Sequence, residues 1–373
     1  MPNKLAKPPG VPRRFLLCAA AFILSVCTAC GAAKPHKYNA QFDGLFDTHA
    51  EIVGYAASEK EFTKYSQLIY DEMTEYSKLF DIYNTYVGMN NLKTINDSAG
   101  VAPVKVDEKI IKFLKSCAAG YPNTYKTVNI AMGPVLSIWH DFREAGVADP
   151  EGASLPNMAD LRAAAQNTDI GNMIIDEAGG TVFLKNKGMS LDVGATAKGY
   201  AAGIVVNDAK AIGMTSALVD MGGNVVGVGK PLDGTRDRWG VGIQDPKQAV
   251  AGTANIMDTV YVNDMSVVTS GNYERYYMVK GVRYNHIIDP ATLMPARKYA
   301  SVTIVCRDSG LADELSTALF ILDEDKGREL LKQNNADAIW VYLDGKISYT
   351  DGYKAISKTY GGYSAVDPRR LIN

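Results

Sequence analysis

The apolar residues of this chain recur at two spacings, and the clearest run has the spacing of a helix. Between Phe62 and Phe80 they return every three or four residues, which predicts a long amphipathic helix. Ser58, with Glu61 three residues later, predicts a capping box at its start. The same spacing predicts further helices over residues 108–117, 133–146, 157–165, 201–212, 311–322 and 325–333.

Short apolar stretches bounded by glycine-containing turns predict β-strands instead. They cover residues 48–56, 173–176, 181–184, 189–191, 276–279, 282–288, 302–306, 338–343 and 346–349, with two more around the glycine turn in 217–229. Because strands and helices are mixed without strict alternation, we expect an α+β fold with antiparallel or mixed sheets and packed helices. No repeat and no Pro- or Ser-rich linker divides residues 42–360, so they are predicted to form a single domain.

The N-terminus follows a different pattern. Arg13 and Arg14 precede an apolar run, Phe15 to Val26, and small residues lead to Cys30. This predicts an export signal and a lipoprotein processing box that would leave Cys30 as the lipid-bearing residue. Cleavage of the signal without lipid attachment is the alternative. The predicted boundaries are residues 1–29 for the signal peptide, 30–41 for a tether, 42–360 for the domain and 361–373 for a C-terminal tail.

Composition and charge are those of an ordinary globular protein, and they exclude one class of partner. The 373 residues are 47% hydrophobic and 21% charged, with a net charge of −2. Residues 1–29 hold four basic and no acidic side chains, so their removal would bring the net charge to −6. Without basic blocks, nucleic-acid binding is not expected. Cys117 and Cys306 lie in apolar surroundings, and we expect two buried thiols and no disulfide.

The segment Asp192-Val-Gly-Ala-Thr-Ala-Lys-Gly-Tyr200 joins a predicted strand to a predicted helix. Glycines, a threonine and Lys198 at such a joint can bring backbone N–H groups and a cation close to a phosphate. The order of glycine and lysine is not that of a Walker loop. The spacing alone leaves a second interpretation open, a tight turn with a surface lysine.

Asp313 and Thr317 are four residues apart on a predicted helix, so they share a face, with Ser316 beside them. A carboxylate and a hydroxyl together suit Mg²⁺, which prefers oxygen ligands. The alternative is an Asp that faces the N-terminal end of the helix dipole and a Thr that bonds its own turn.

Four segments, in chain order, resemble the FAD:protein FMN transferases, the ApbE-type flavin transferases. They are Asp192-Val-Gly-Ala-Thr-Ala-Lys-Gly-Tyr-Ala201, Val219-Asp-Met-Gly-Gly-Asn224, Thr269-Ser-Gly-Asn-Tyr-Glu-Arg-Tyr276 leading to His286-Ile-Ile-Asp-Pro290, and Ala312-Asp-Glu-Leu-Ser-Thr-Ala-Leu-Phe320. The resemblance covers Phe42 to Gly352 and implies one ApbE-like catalytic domain. It also implies a Mg²⁺-dependent transferase that splits FAD at its pyrophosphate, transfers FMN to a threonine hydroxyl of another exported protein and releases AMP.

The resemblance assigns roles to individual residues as well. His286 would be the general base that acts on the incoming threonine. The Mg²⁺ ligands would be Ala195 through its carbonyl, Asp313, Ser316 and Thr317. The residues contacting FAD would be Phe46, Tyr83, Ala131, Met132, Gly133, Asp192, Lys198 and Ile287.

Three stretches depart from the family pattern. Phe46 lies in Leu45-Phe-Asp-Thr48, where the family often has Met-Gly-Thr, so it would line the flavin pocket differently. The tyrosine expected after the first helix is either Tyr83 or Tyr86. Ala291-Thr-Leu-Met-Pro295 replaces a common Arg-Thr-Gly, and we expect Pro295, not a glycine turn, to shape that loop.

Two other functions remain open, an FAD pyrophosphatase that gives FMN and AMP, and a non-catalytic FAD-binding lipoprotein. His286, Asp313 and Thr317 favour an enzyme, because a protein that only binds FAD needs none of them. The expected partners are FAD and an exported acceptor, such as a subunit of a redox or ion pump or an extracellular reductase. The expected location is the extracytoplasmic face of the cell membrane, by lipid anchor.

Overall fold

The computed structural model describes residues 34–247 and 255–367, which form helices and antiparallel sheets. The helices are α1 (Glu59–Leu79), α2 (Leu92–Asp97), α3 (Glu108–Gly120), α4 (Gly133–Ala148), α5 (Met158–Ala165), α6 (Ala197–Ala211), α7 (Ser309–Ile321), α8 (Glu324–Gln333), α9 (Asp351–Ile356) and α10 (Lys358–Gly361). The signal peptide and Cys30 lie outside the described residues. No helix within those residues is long and apolar enough to cross a membrane.

The strands confirm the predicted α+β class. They are β1 (His36–Leu45), β2 (Thr48–Ala56), β3 (Val104–Lys105), β4 (Met173–Asp176), β5 (Thr181–Leu184), β6 (Ala217–Met221), β7 (Asn224–Val228), β8 (Trp239–Gln244), β9 (Ile256–Val262), β10 (Ser266–Gly271), β11 (Tyr276–Val279), β12 (Val282–Asn285), β13 (Ile288–Asp289), β14 (Met294–Pro295), β15 (Tyr299–Cys306), β16 (Asp337–Tyr342) and β17 (Ile347–Tyr349). Eight of them form the main sheet in the order β1-β2-β6-β7-β10-β15-β16-β17, and every pairing in it is antiparallel.

The main sheet separates two apolar layers because side chains alternate between its faces. On one face α1, α6 and α7 pack against residues such as Val226 and Ile304. On the other face the β8–β9 hairpin packs against Val225 and Val305, which are the sequence neighbours of Val226 and Ile304 and therefore point the opposite way. Both cysteines of the described residues, Cys117 and Cys306, are buried free thiols, as predicted.

Helix α1 shows how well the periodicity predicts an element. Its buried face includes Ile69 and Met73, both fully inaccessible. The hydroxyl of Ser58 accepts from the N–H of Glu61 at 3.2 Å, as the capping box requires. The reciprocal bond is displaced by one residue, because the Glu61 carboxylate accepts from the N–H of Ala57 at 2.9 Å.

Several predicted boundaries are wrong. The predicted tether extends into the fold, because β1 begins at His36 and pairs with β2 along its whole length. Residues 189–191 do not form a strand, since the backbone of Leu191 bonds the side-chain amide of Asn96 at 2.7 and 2.9 Å. Helix α6 starts at Ala197, four residues early. The strand predicted to end at 288 stops at Asn285.

The chain after α10 continues to pack on the domain. The N–H of Asp237 donates to the carbonyl of Ala365 at 2.7 Å, and Arg238 donates to the carbonyl of Ser364 at 3.3 Å. The predicted C-terminal tail is therefore attached to the strand β8 region as far as it is described.

Candidate functional site

A cavity of about 900 Å³ opens at one end of the main sheet. Its walls come from loops that are far apart in the chain: the β1–β2 turn, the segment after α1, the approach to α6, the β6–β7 turn, the loop after β10 and the face of α7. Its size is that of a site for a cofactor-sized ligand. Most of the predicted site residues line this cavity.

The approach to α6 leaves one carbonyl without its helical partner. In an uninterrupted helix the N–H of Gly199 would bond the carbonyl of Ala195. Here it donates to Oδ2 of Asp313 at 2.8 Å instead. Within residues 34–247 and 255–367 no other backbone N–H reaches the Ala195 carbonyl, and Ala195 lines the cavity. The oxygen is thus available to a ligand.

Gly199 is required by the close approach of α6 and α7. A Cβ at this position would lie 2.4 Å from both Cβ of Asp313 and the carbonyl oxygen of Ser309. No side chain fits there without separating the helices. The glycine after Lys198 therefore serves to seat Asp313 beside the start of α6.

Asp313 is a buried carboxylate with little charge compensation. Its side chain is 6% exposed, and burial raises its pKa to about 6, although Lys198, Gly199 and Asn224 act in the opposite direction. Thr317, one helical turn further along α7, also lines the cavity. Asp313, Thr317 and Ala195 therefore line the same cavity, and their role as metal ligands stays a prediction.

Ser316 is placed differently from its predicted role. It is fully buried, and its hydroxyl donates to the carbonyl of Asp313 at 2.8 Å. Its oxygen also lies 2.8 Å from Oγ of Ser270, which must donate because the Ser316 proton is already used. Ser316 does not line the cavity and so supports the backbone of α7 there.

His286 is held in a single tautomer by a carbonyl. Its Nδ1 lies 3.1 Å from the carbonyl oxygen of Arg275, which also accepts from the backbone N–H of His286 at 3.0 Å. A carbonyl only accepts, so Nδ1 carries the proton and Nε2 keeps its lone pair. His286 lines the cavity, and burial, with Arg275, Arg143 and Lys198 nearby, lowers its pKa to about 4. The ring is neutral near pH 7.

Two basic residues that the sequence did not predict as site residues, Arg143 and Arg275, lie near Asp192. Arg143 on α4 lies 2.7 Å from Nδ1 of His140 and donates to it, because a guanidinium only donates. Burial raises the pKa of Asp192, while His140, Arg275 and Arg143 counteract that rise. Arg275 belongs to the segment Thr269-Ser-Gly-Asn-Tyr-Glu-Arg-Tyr276, which resembles the family, whereas Arg143 lies on a helix for which the sequence predicted only apolar packing.

Most of the predicted FAD contacts line the cavity wall. They are Phe46, Tyr83, Met132, Asp192, Lys198 and Ile287. The Tyr86 hydroxyl instead donates to Asp81 at 2.7 Å, and its ring lies outside the cavity lining. Ala131 is fully buried behind the wall, and Gly133 packs against Ser190, so of that predicted segment only Met132 faces the cavity.

The loop that departs from the family pattern turns at Leu293, and Pro295 follows in strand β14, where it pairs with Ile288. Leu293 has a φ of 59°, in the left-handed region where glycine is common. Its backbone carbonyl accepts from the indole N–H of Trp139 at 2.9 Å, and its N–H donates to Asp289 at 2.8 Å. These two bonds offset the strain of a leucine at that φ, about 1–2 kcal/mol.

Asn224 ends the Val219-Asp-Met-Gly-Gly-Asn224 segment, and the sequence predicted no role for it. It begins β7, directly after Gly222 and Gly223, whose φ values of 62° and 86° form the tight turn from β6. It is 2% exposed and lines the cavity. Its Oδ1 is buried, and no hydrogen-bond partner for it exists among the described residues.

The described residues contain no group of three or more His, Cys, Asp or Glu side chains arranged to hold a metal.

Comparison with known proteins identifies the family of this chain. Residues 46–340 match the ApbE family. The FAD:protein FMN transferase of Klebsiella pneumoniae (strain 342) is 31% identical over 301 residues, which are 78% of this chain and 90% of that protein. The FAD:protein FMN transferase of Treponema pallidum (strain Nichols) is 36% identical over 270 residues, 70% of this chain and 73% of that protein.

Solved structures share the fold. The crystal structure of the ApbE protein from Thermotoga maritima MSB8 superposes with a TM-score of 0.72 at 28% identity, covering 86% of this chain and 99% of that one. The flavinyl transferase ApbE of Pseudomonas stutzeri, in its apo form, gives a TM-score of 0.70 at 21% identity, covering 88% and 98%.

Proposed function

This chain belongs to the ApbE family, and we propose that it transfers the FMN half of FAD to a threonine hydroxyl of an exported protein, with Mg²⁺ and release of AMP. Its relatives are FAD:protein FMN transferases, so the chain is a transferase that acts on FAD. The threonine, the Mg²⁺ and the exported acceptor are the parts of this proposal that experiment has to establish.

One observation supports the proposal: the same cavity is lined by a neutral imidazole with a lone pair on Nε2 and by the oxygen-bearing residues Asp313 and Thr317. An FAD-binding protein without chemistry would need neither. The imidazole suits proton removal from a hydroxyl, and the oxygens suit a cation next to a pyrophosphate.

The transfer step follows from these positions. Nε2 of His286 takes the proton of the threonine hydroxyl while the threonine oxygen bonds to the FMN-side phosphorus. The bond from that phosphorus to the bridging oxygen breaks, and AMP leaves with that oxygen. Lys198, Arg143 and Arg275 lie where they can bind the pyrophosphate anion. The negative charge of the pyrophosphate would offset the positive charge of these three residues and so raise the pKa of His286. His286 would then be a stronger base when substrate is bound.

The residues present fit a divalent cation. The Ala195 carbonyl has lost its helical partner, and the Asp313 carboxylate is buried beside it, with Lys198 as its nearby cation. A buried carboxylate and an unpaired carbonyl are both stabilised by a bound cation. Ala195, Asp313 and Thr317 would hold Mg²⁺, which when bound would neutralise charge on the pyrophosphate.

We place this activity at the extracytoplasmic face of the cell membrane, held by a lipid on Cys30. The support is the sequence alone: Arg13 and Arg14, the apolar run after them, and Cys30 followed by glycine. A diacylglyceryl group supplies two acyl chains, which is what stable anchoring requires.

The test is an assay of the full chain with FAD, Mg²⁺ and a candidate acceptor domain. We expect the acceptor to gain the mass of one FMN, covalent flavin fluorescence in a denaturing gel, and one AMP for each FMN transferred. An acceptor with its target threonine replaced by alanine serves as the control. Free FMN and AMP with an unmodified acceptor would identify a pyrophosphatase, and no AMP at all would identify a binding protein.

A further inference from the structure

The amide oxygen of Asn224 is a buried acceptor that the transfer step leaves unused. Asn224 is 2% exposed and lines the cavity, yet its buried Oδ1 has no hydrogen-bond partner among the described residues. Leaving a buried acceptor unpaired costs its full desolvation penalty. Such an atom in a cavity wall indicates that something which binds there supplies the partner.

The orientation of the amide follows from its neighbour. The Asn224 amide lies close to the Asp313 carboxylate and favours its charged form. A carboxylate only accepts, so the amide must present its NH₂ group to Asp313. Rotation of the amide by 180° would place two acceptors against each other. Oδ1 therefore lies at the other end of the amide, where it is buried without a partner among the described residues.

The partner that suits this position is a cation. Oδ1 of Asn224, the Asp313 carboxylate and the Ala195 carbonyl are all acceptors, and the Gly199 N–H, which could have served one, is used by Asp313. Carboxylate, carbonyl and amide oxygens are all ligands that a hard cation accepts. We propose that Asn224 is a further ligand of the divalent cation through its side-chain oxygen, an inference that rests on the cation of the proposed function.

The fold holds Asn224 rigidly enough for this role. The turn before it is fixed by two glycines with positive φ and by the Gly223 N–H, which donates to Asp220 at 2.9 Å. Its backbone pairs with Val268 of β10 in the middle of the main sheet. A ligand on a central strand is positioned more precisely than one on a loop.

Binding of Mn²⁺ to the full chain, followed by the loss of the free-ion EPR signal, tests the inference without turnover. Three variants are compared: Asn224→Leu, which removes the oxygen at similar volume, Asn224→Asp, which keeps an oxygen but removes the donor to Asp313, and Gln244→Leu, which removes another amide of the cavity lining. We expect Asn224→Leu to weaken Mn²⁺ binding roughly 10- to 100-fold, with Asn224→Asp at least as tight as the wild type and Gln244→Leu unchanged. Thermal melts confirm that each variant is folded.

A Mn²⁺-soaked crystal gives the second measurement. The anomalous peak should lie about 2–2.5 Å from Oδ1 of Asn224. A peak beside Asp313 but out of reach of Oδ1, equal weakening in the Leu and Asp variants, or no change in Asn224→Leu would overturn the inference and leave the proposed function standing. A wild-type protein that binds no Mn²⁺, with or without AMP, would remove the cation from the proposed function and this ligand with it.

Discussion

Replacing Asp313 with asparagine should stabilise the protein when divalent cations are absent. The Asp313 carboxyl is buried, and its pKa is raised to about 6 in the folded protein, against an ordinary value near 3.8. Between these two values the folded state keeps a proton that the unfolded state has released. The stability of the wild type therefore falls as pH rises through this window, and the loss is complete above about pH 6.

The size of the effect follows from the shift in pKa. A rise from 3.8 to about 6 corresponds to about 3 kcal/mol of lost stability at neutral pH, which is roughly 4 °C in melting temperature for a domain of this size. The asparagine side chain of the Asp313→Asn variant keeps an acceptor for the Gly199 N–H and has no charge to bury, so the variant escapes this loss. Added Mg²⁺ should reverse the order, because it stabilises only the chain that binds it.

The test compares thermal melts of both proteins under four conditions, at about pH 4.5 and pH 7.5, each with and without Mg²⁺. Asp344→Asn, at an exposed hairpin turn, controls for the general effect of losing one negative charge. The reasoning fails if the wild type is the more stable protein at pH 7.5 without cations, or if the difference between the two proteins is the same at both pH values.

Three further changes test the proposed base, the packing of α6 on α7 and the proposed lipid anchor. His286→Asn should slow transfer by roughly 100-fold or more while FAD stays bound, and this loss of rate should shrink at high pH, where hydroxide replaces the imidazole. Transfer by the variant at the wild-type rate from about pH 6 to 9 would show that His286 is not the base. Gly199→Ala should lower the free energy of unfolding, measured in urea, by about 1–3 kcal/mol and weaken Mn²⁺ binding, because the new Cβ would lie 2.4 Å from atoms of Ser309 and Asp313. An unchanged free energy of unfolding together with unchanged Mn²⁺ affinity would contradict the close approach of α6 and α7. Cys30→Ala should release the processed chain from the membrane fraction, and retention there, with unprocessed signal excluded, would argue against the lipid.

Local patterns predicted those elements whose burial is one-sided. The helix α1 and the strand β2 show clear periodicity because one face of each is buried and the other is not. Strand β10 was missed because most of it is buried on both faces in the centre of the main sheet, so its residues do not alternate. Strand β1 was missed for the opposite reason, since its residues at the sheet edge are mostly exposed and polar.

The site divides in a similar way. Asp313 and Thr317 are one helical turn apart, so their grouping could be read from the chain. The proposed roles of Asn224 and His286 depend on their neighbours Asp313 and Arg275, which only the tertiary fold brings close to them. Spacing along a sequence contains no information on such contacts. For this reason the family resemblance predicted more of the site residues than residue spacing did.

The early start of β1 limits where the enzyme can work. His36, the first residue of the main sheet, comes only six positions after Cys30. Fully extended, that length of chain reaches roughly 20 Å. A domain on so short a link stays within a thin layer above the bilayer, so under the proposed anchoring an acceptor fixed in the same membrane meets it at a high effective concentration. A freely diffusing acceptor would have to enter that layer to be modified.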